Sequence, residues 1–177
     1  MDKNNAAWKK FFSFLAAGLI PLVVIFSFYQ IPSSNDVFNT FFGITENAAV
    51  NISSNNLLLS HTLGIYCRIA IPLALIFVFL YGKNIKLVKT DVPFSYYVIR
   101  LFLFSALCLA YTYAMAFYRL DITHGNRFLQ FISSNDYLML SYYVVAFSGI
   151  YLFLTLLFLL VIKLPSAYKN TSTTNGD

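Results

Sequence analysis

The sequence predicts an all-α integral membrane protein, a bundle of four transmembrane helices with both termini in the cytoplasm. Of its 177 residues, 59% are hydrophobic and only 11% are charged. An ordinary soluble domain carries roughly 25% charged residues. It could not keep as much apolar surface as this chain has away from water. Four apolar stretches are also long enough to cross the hydrocarbon core of a bilayer, which takes about 20 helical residues.

The predicted helices follow one another within a single membrane domain, 1–177. The four helices cover approximately 11–31, 63–81, 96–118 and 137–162. Lys9 and Lys10 precede the first helix, as in a signal peptide. Its apolar run is too long for a signal peptide and no small-residue cleavage site follows, so we expect a retained helix. The polar tail, about 168–177, has too little apolar surface to fold and is predicted to be disordered.

The lysines indicate how the helices are oriented. Every lysine lies before the first helix, in the short loop 82–94, or after the fourth helix. The loops 32–62 and 119–136 contain no lysine, and only Arg119 and Arg127 lie there. Cytoplasmic loops of membrane proteins carry an excess of Lys and Arg. We therefore predict that both termini and loop 82–94 are cytoplasmic, and that loops 32–62 and 119–136 face outward.

The sequence offers no set of residues for catalysis. His61 and His124 lie on different predicted loops, and Cys67 and Cys108 lie inside apolar runs. No zinc-protease, paired-cysteine, haem-attachment or phosphate-binding motif is present. No acidic residue lies in a predicted span, which disfavours a proton relay or a cation pathway. The basic residues form no stripe for nucleic acid. We therefore predict a protein that is not an enzyme, with no cofactor, no metal ion and no nucleic-acid partner.

Two arginines lie inside predicted helices. Arg68 is near the outer end of the second helix and Arg100 near the inner end of the third. Each can extend its charged group to the nearer headgroup region, at a cost below the roughly 2.5–3.5 kcal/mol of a charge at mid-bilayer. Arg68 can instead make a polar contact with another helix, or with a partner inside the membrane. The sequence leaves both interpretations open.

Three small residues recur four positions apart on the third helix: Ala106, Ala110 and Ala114. In lipid, helices associate by close packing, and such a stripe lets another backbone approach. The stripe can pack on the second or fourth helix of the same chain, or it can receive a helix of another protein. Pro21 and Pro72 are expected to bend their helices.

Several ordered fragments of the sequence resemble a known family. They are "GLIPL" at 18–22, "TEN" at 45–47, "IYCR" at 65–68, "LALI" at 73–76 and "LDITHGNRFLQFISSND" at 120–136. At comparable spacing and chain length, the set resembles the immunity proteins of pore-forming colicins of the A type. It spans the chain from the first helix to the start of the fourth. The resemblance implies a small protein of the bacterial inner membrane that protects a colicin-producing cell.

The resemblance also implies partners and binding residues. The partners are membrane lipid and the pore-forming domain of a cognate colicin, whose voltage-driven channel the immunity protein keeps closed. The residues with family counterparts, together with the alanine stripe, are the candidate toxin-binding set: Arg68, Ala106, Ala110, Ala114, Asp121, Thr123, Arg127, Asn135 and Asp136. Asn135 and Asp136 can equally cap the fourth helix, since a side-chain oxygen there satisfies free backbone N–H groups. Arg127 can equally contact phospholipid.

The residues also fit a second function, a small membrane transporter or channel component. Its polar path would run past Arg68, Arg100 and tyrosine hydroxyl groups. This alternative predicts flux or a growth phenotype without any toxin, whereas an immunity protein has no effect until a colicin is added.

Overall fold

The structure of the protein, a computed structural model, describes residues 3–85 and 94–169. They form seven α-helices: α1 (Lys3–Tyr29), α2 (Asn35–Thr45), α3 (Leu57–Cys67), α4 (Ala70–Tyr81), α5 (Phe94–Ala116), α6 (Arg127–Ser133) and α7 (Asp136–Lys169). Short 3-10 turns join them at Pro32–Ser34, Ser54–Asn56, Gly82–Asn84 and Ile122–His124. Most of the predicted cytoplasmic loop 82–94 and of the tail 168–177 lies outside the described residues.

Within the described residues, four helical stretches are long and apolar enough to cross a membrane. They are Lys3–Tyr29, Ser54–Asn84, Ser95–Ala116 and Asp136–Lys163. The second contains α3 and α4 with their flanking turns. The all-α class and the four helices of membrane length are therefore confirmed. Insertion into a membrane and the cytoplasmic position of the termini stay predictions.

The second of these stretches is interrupted, and the sequence explains where. Pro72 has no N–H for the carbonyl of Arg68, and its ring clashes with that carbonyl in a regular helix. Accordingly α3 ends at Cys67 and α4 begins at Ala70. The Arg68 carbonyl accepts a hydrogen bond from the Ile71 N–H instead, at 3.1 Å. The expected bend at Pro72 is thus a break between two helices.

The helical stretch also begins earlier than the predicted range 63–81. The polar residues up to Thr62 favoured a loop, but the hydrogen-bonding groups of Thr62 and His61 have partners inside the fold. The Thr62 hydroxyl donates to the Leu58 carbonyl at 2.8 Å. The Nε2 atom of His61 lies 3.0 Å from the Thr45 hydroxyl, and its ring packs on Phe42. Polar groups paired in this way do not end a helix.

Both predicted outer loops contain helices. The range 32–62 includes α2 and the first half of α3, and the range 119–136 includes α6. In α2, Phe38 is buried, whereas Val37 and Ile44 on the other side of the helix are exposed. With 11 and 7 residues, α2 and α6 are too short to stand out in the sequence as membrane-spanning apolar runs.

The core lies along α7, which packs on α1, α3, α4 and α5. Aromatic rings fill these contacts, including Tyr151 stacked on Phe11 at 5.0 Å. Glycine lets the helices approach closely. A Cβ atom at Gly149 would lie 2.3 Å from the Tyr111 hydroxyl, and one at Gly18 would lie 2.6 Å from the Phe147 ring. These crossings therefore fix how α5 and α1 lie against α7.

Candidate functional site

Arg68 lies in the break between α3 and α4 and bonds two backbone carbonyl groups. Its Nε donates to the carbonyl of Ala116 at 3.0 Å, and its Nη2 donates to that of Ala49 at 2.8 Å. The guanidinium also lies over the Phe117 ring, 4.9 Å from its centroid. The last carbonyls of a helix have no partner within it, and Ala116 ends α5. Of the interpretations that the sequence left open, the structure therefore shows contact with another helix of the same chain.

Asp121 accepts hydrogen bonds from four groups. The Thr123 N–H donates to it at 2.9 Å, and the backbone N–H of Ser54 does so at 3.3 Å. The Ser54 hydroxyl and the His124 ring also contact the carboxylate, the ring at 3.1 Å. Partial burial raises the pKa of the carboxyl group, but the hydrogen bonds from Ser54, Thr123 and His124 outweigh it and lower the pKa to about 2. The group is therefore ionised at neutral pH and joins the two outer segments.

Backbone pairing joins the same segments. Ile52 and Asp121 form an isolated parallel β-bridge. The Ile52 N–H donates to the Leu120 carbonyl at 2.9 Å, and the Ile122 N–H donates to the Ile52 carbonyl at 2.8 Å. The hydroxyl groups of Ser53 and Thr123 lie 3.2 Å apart. We call residues 49–56 together with 119–136 the outer layer, because the sequence predicts that both segments face outward.

Asn51 fastens the outer layer to the helices beneath it. Its side-chain amide donates to the Ala114 carbonyl at 3.2 Å and to the Tyr142 hydroxyl at 3.0 Å. Its own carbonyl accepts from the Tyr143 hydroxyl at 2.7 Å. Asn51 is buried, so these bonds hold the first outer segment against α5 and α7.

Asn135 and Asp136 act at the start of α7. The side-chain oxygen of Asn135 accepts from the backbone N–H groups of Tyr137 and Leu138, at 2.8 and 3.3 Å. The Asp136 carboxylate contacts the side-chain amide of Asn56. Asn135 therefore caps the helix, as one interpretation of the sequence expected, while Asp136 joins the start of α7 to Asn56 in the first segment of the outer layer.

Arg127 differs from the other charged candidates. It is the first residue of α6 and is exposed. Among the residues that the structure describes, none forms a hydrogen bond or ion pair with it. Phe128 and Phe131 on the same short helix are also exposed. Arg127 is thus the member of the loop set whose charge remains available to another molecule or to lipid.

The side chains of the alanine stripe lie on the side of α5 that the described residues leave exposed. Ala106, Ala110 and Ala114 are all exposed, whereas Cys108 and Thr112 of the same helix are buried. The interpretation that the stripe packs on the second or fourth membrane helix of this chain is therefore wrong. The reason is that Gly149 of α7 admits the Tyr111 ring, so α5 turns its aromatic and polar side inward.

The structure does not bring the two arginines of the transporter alternative together. Arg68 is bonded to Ala116, and Arg100 is an exposed residue 16 positions earlier on α5. At a rise of about 1.5 Å per residue, roughly 24 Å of helix separates the two positions. No polar path joins them among the described residues. Nor do the described residues bring three His, Cys, Asp or Glu side chains together as a metal site.

Comparisons with known proteins agree with the resemblance. The sequence model of the family described as "Colicin immunity protein" matches residues 34–169, well over half of the chain. The chain belongs to this family. The Colicin-A immunity protein of Citrobacter freundii is 32% identical over 149 residues, which are 84% of this chain and 83% of that protein. No solved structure matches the chain. The family and this relative support bacteriocin immunity, specifically colicin immunity, as the function of the chain.

The sequence did not point to Asn51, Ser54 and Asn56, which carry much of the outer layer. The polar run "NISSNN" at 51–56 is visible in the sequence, but the side-chain partners of these three residues lie 63 or more residues away, or in Tyr29 on α1. A run of small polar residues is typical of any loop. Only the fold shows that these side chains bond other segments rather than water.

Proposed function

We propose that this colicin immunity protein binds the pore-forming domain of its cognate colicin after that domain has inserted into the inner membrane. Binding there prevents the channel from opening. Both termini and loop 82–94 lie in the cytoplasm in this proposal, and the outer layer faces the side from which the toxin arrives. The lysine distribution and the four apolar helices support this orientation.

One observation carries the proposal: α5 is the membrane helix that the protein covers least. In the most apolar stretch of each span, 44% of the residues of α7 are buried inside the protein, compared with 11% for α5. The exposed side of α5 carries Ala106, Ala110 and Ala114, and we call this side the open face. A small-residue surface lets a second helix approach to backbone contact, and van der Waals packing is the main source of helix association in lipid.

The open face suits the partner that the family implies. An inserted hairpin of apolar helices offers the immunity protein shape rather than charge. A helix packed on the open face would be held against α5, and it could not move into the arrangement that conducts ions. Of the loop candidates, Arg127 and the exposed side of α6 are available for further contact, while Asp121, Thr123, Asn135 and Asp136 position the outer layer.

The first test is protection itself. The protein is expressed in a sensitive strain, which is challenged with a panel of pore-forming colicins and with one colicin that does not form pores. We expect survival against at least one toxin of the A type and killing by the toxin that forms no pore. Killing equal to that of the empty-vector control by every pore-forming toxin would contradict the proposal.

The second test locates the contact. A photo-reactive amino acid replaces Ala110 on the open face or, as a matched control, Ala17, which is an exposed alanine of α1. With the toxin inserted in the same cells, we expect cross-linking from position 110 and little from position 17. Equal yields, or cross-linking only from an outer-layer position such as Arg127, would place the toxin elsewhere.

The orientation has its own test. Asn47 and Asn84 are exposed, and the native Cys67 and Cys108 are buried. Asn47 precedes the second membrane stretch, and Asn84 is its last residue. In intact spheroplasts, an impermeant thiol reagent should label Asn47→Cys and leave Asn84→Cys unlabelled. Labelling of the two variants in the opposite pattern would reverse the topology.

A further inference from the structure

An apolar groove runs between α4 and α7 at the lysine-rich end of the protein. It has a volume of about 450 Å³ and is lined by α4 residues between Leu75 and Leu80 and by Phe158, Val161 and Ile162 of α7. Among the described residues, no charged side chain lines it. Phe79 stands at its surface with 84% of its area exposed. A groove of this kind is suited to a hydrocarbon chain.

Two lysines lie where the groove ends. Lys163 follows the lining residue Ile162 directly, and Lys83 lies in the 3-10 turn Gly82–Asn84, three residues after the lining residue Leu80. The two are close to each other, because the Lys163 ammonium group donates to the Lys83 carbonyl at 3.2 Å. Lys83, which is exposed, and Lys163 therefore lie next to each other at the end of the groove.

We propose that this groove binds an anionic phospholipid of the cytoplasmic leaflet. One acyl chain lies along α4 and α7, and the phosphate group lies between Lys83 and Lys163. The argument rests on charge complementarity, since the apolar groove and its two cations match the two parts of one molecule. Basic sites between membrane helices on the cytoplasmic side are a recognised arrangement for anionic headgroups.

A second groove in the structure provides the contrast. It lies between α1, α2 and α3, has a volume of about 470 Å³, and includes Phe28, Phe38 and Ile69 in its lining. Its nearest cation along the chain is Arg68, whose guanidinium bonds the carbonyls of Ala49 and Ala116. This groove offers the same apolar surface without lysines, so it has no reason to prefer an anionic lipid.

The test measures lipid preference at each groove separately. Trp8 is the single native tryptophan, and it is replaced by phenylalanine. A new tryptophan is placed in the α4–α7 groove by Phe79→Trp, or in the other groove by Phe28→Trp. Each full-length protein is reconstituted in symmetric vesicles that contain brominated phosphatidylglycerol or brominated phosphatidylcholine. Quenching of fluorescence by each lipid then gives the relative affinity of the two lipids at that groove.

We expect the anionic lipid to be preferred at position 79 and not at position 28. An interfacial lysine contributes about fivefold to such a preference. Lys83→Gln or Lys163→Gln should therefore lower it several-fold, and the double variant should abolish it. Lys9→Gln, at another exposed lysine of the same end, is the control and should leave it unchanged.

Three results would overturn the proposal: equal quenching by the two lipids at position 79, a preference that survives the double variant, or an equal preference at position 28. The last would indicate general attraction of a protein of net charge +5 to an anionic surface. No toxin is present in this experiment, so its outcome is separate from that of the proposed immunity mechanism.

Discussion

The outer layer and the open face of α5 differ in whether their side chains interact with the rest of the protein. In the outer layer, polar side chains are bonded to each other and to backbone, as Asp121 is to Ser54 and Thr123. On the open face, the side chains of apolar residues such as Leu107 and Leu109 and of the alanine stripe are exposed. The residues that most resemble recognition groups are thus used internally, while an ordinary apolar face is available for binding.

This difference separates two kinds of variant. A change in the outer layer or at a helix crossing removes interactions within the protein, so it should lower the free energy of unfolding. A change on the open face removes no internal contact, so it should leave that free energy unchanged. If toxin is bound at the open face, protection and stability should respond to different residues.

The largest loss of stability is expected for Arg68→Leu. It leaves the carbonyls of Ala49 and Ala116 without a partner, and a hydrogen bond to a charged group contributes about 1.5–3 kcal/mol. We expect the free energy of unfolding to fall by about 3 kcal/mol, measured from loss of helicity in mixed detergent micelles as dodecyl sulfate is added. Insertion into the membrane should be retained.

Arg68→Lys is the matched control, because it keeps the charge but lacks the planar group that reaches two acceptors at once. It should lose about half as much stability as Arg68→Leu. If Arg68→Leu kept full stability but lost protection, the guanidinium would act on the toxin, and the distinction between the two regions would fail at this residue.

The sequence was a good guide to α1, α5 and α7, and a poor one to what surrounds Arg68. Long apolar runs determine membrane helices by hydrophobicity alone, so composition reveals them. The partners of Arg68 are backbone carbonyls, which every residue possesses. The residue types at positions 49 and 116 therefore could not predict the contact. The inward side of α5 was also hidden, because it depends on the shape of Gly149 on another helix.

The second largest effect is expected at the crossing of α5 and α7. In Gly149→Ala, the new methyl group would lie 2.3 Å from the Tyr111 hydroxyl and 2.7 Å from the ring, so the helices must separate or the ring must move. Overpacking of this kind costs about 1–3 kcal/mol. The same unfolding assay measures it, and protection should fall as well, because α5 would change position.

Gly43→Ala is the control for a glycine replaced without a collision. A Cβ atom at Gly43 meets nothing within 4 Å, and the residue lies inside α2. Alanine favours a helix over glycine by up to about 1 kcal/mol, so this variant should be as stable as the wild type or more so. A loss equal to that of Gly149→Ala would mean that the crossing is not the cause.

A smaller effect is expected for Asp121→Asn, and it should depend on pH. The pKa of the Asp121 carboxyl group is lowered from 3.8 to about 2 in the folded protein, so its hydrogen bonds stabilise the fold above about pH 4. That contribution is lost as the pH falls from about 4 to about 2. At neutral pH, we expect Asp121→Asn to lower the free energy of unfolding by about 1 kcal/mol.

The variant and the wild type should therefore differ less at pH 2 than at pH 7, because protonation removes in the wild type what the substitution removes at neutral pH. Arg127→Ala is the control: the residue is exposed and unpaired among the described residues, so stability should not change. A difference between Asp121→Asn and the wild type that stayed constant across this range would show that the carboxylate charge does not hold the outer layer.

The smallest loss of stability is expected for a substitution on the open face. The ratio of its effect on protection to its effect on the free energy of unfolding should be the largest of all the variants. Ala110 is exposed on α5, so a leucine there meets lipid rather than another part of the chain. We expect Ala110→Leu to change the free energy of unfolding by less than about 0.5 kcal/mol. The larger side chain should nevertheless keep a partner helix from backbone contact.

Polar side-chain contacts between helices in membranes are worth about 0.6–1.7 kcal/mol. For a packing contact of similar strength, the toxin dose that kills half of the cells should fall about three- to twentyfold. Ala17→Leu, at an exposed alanine of α1, adds the same side chain to another lipid-facing helix and should leave both quantities unchanged. Because protection would be lost without a loss of stability, and only on α5, the result would assign binding to the open face. If Ala110→Leu protected fully while Arg127→Ala did not, binding would take place at the outer layer instead.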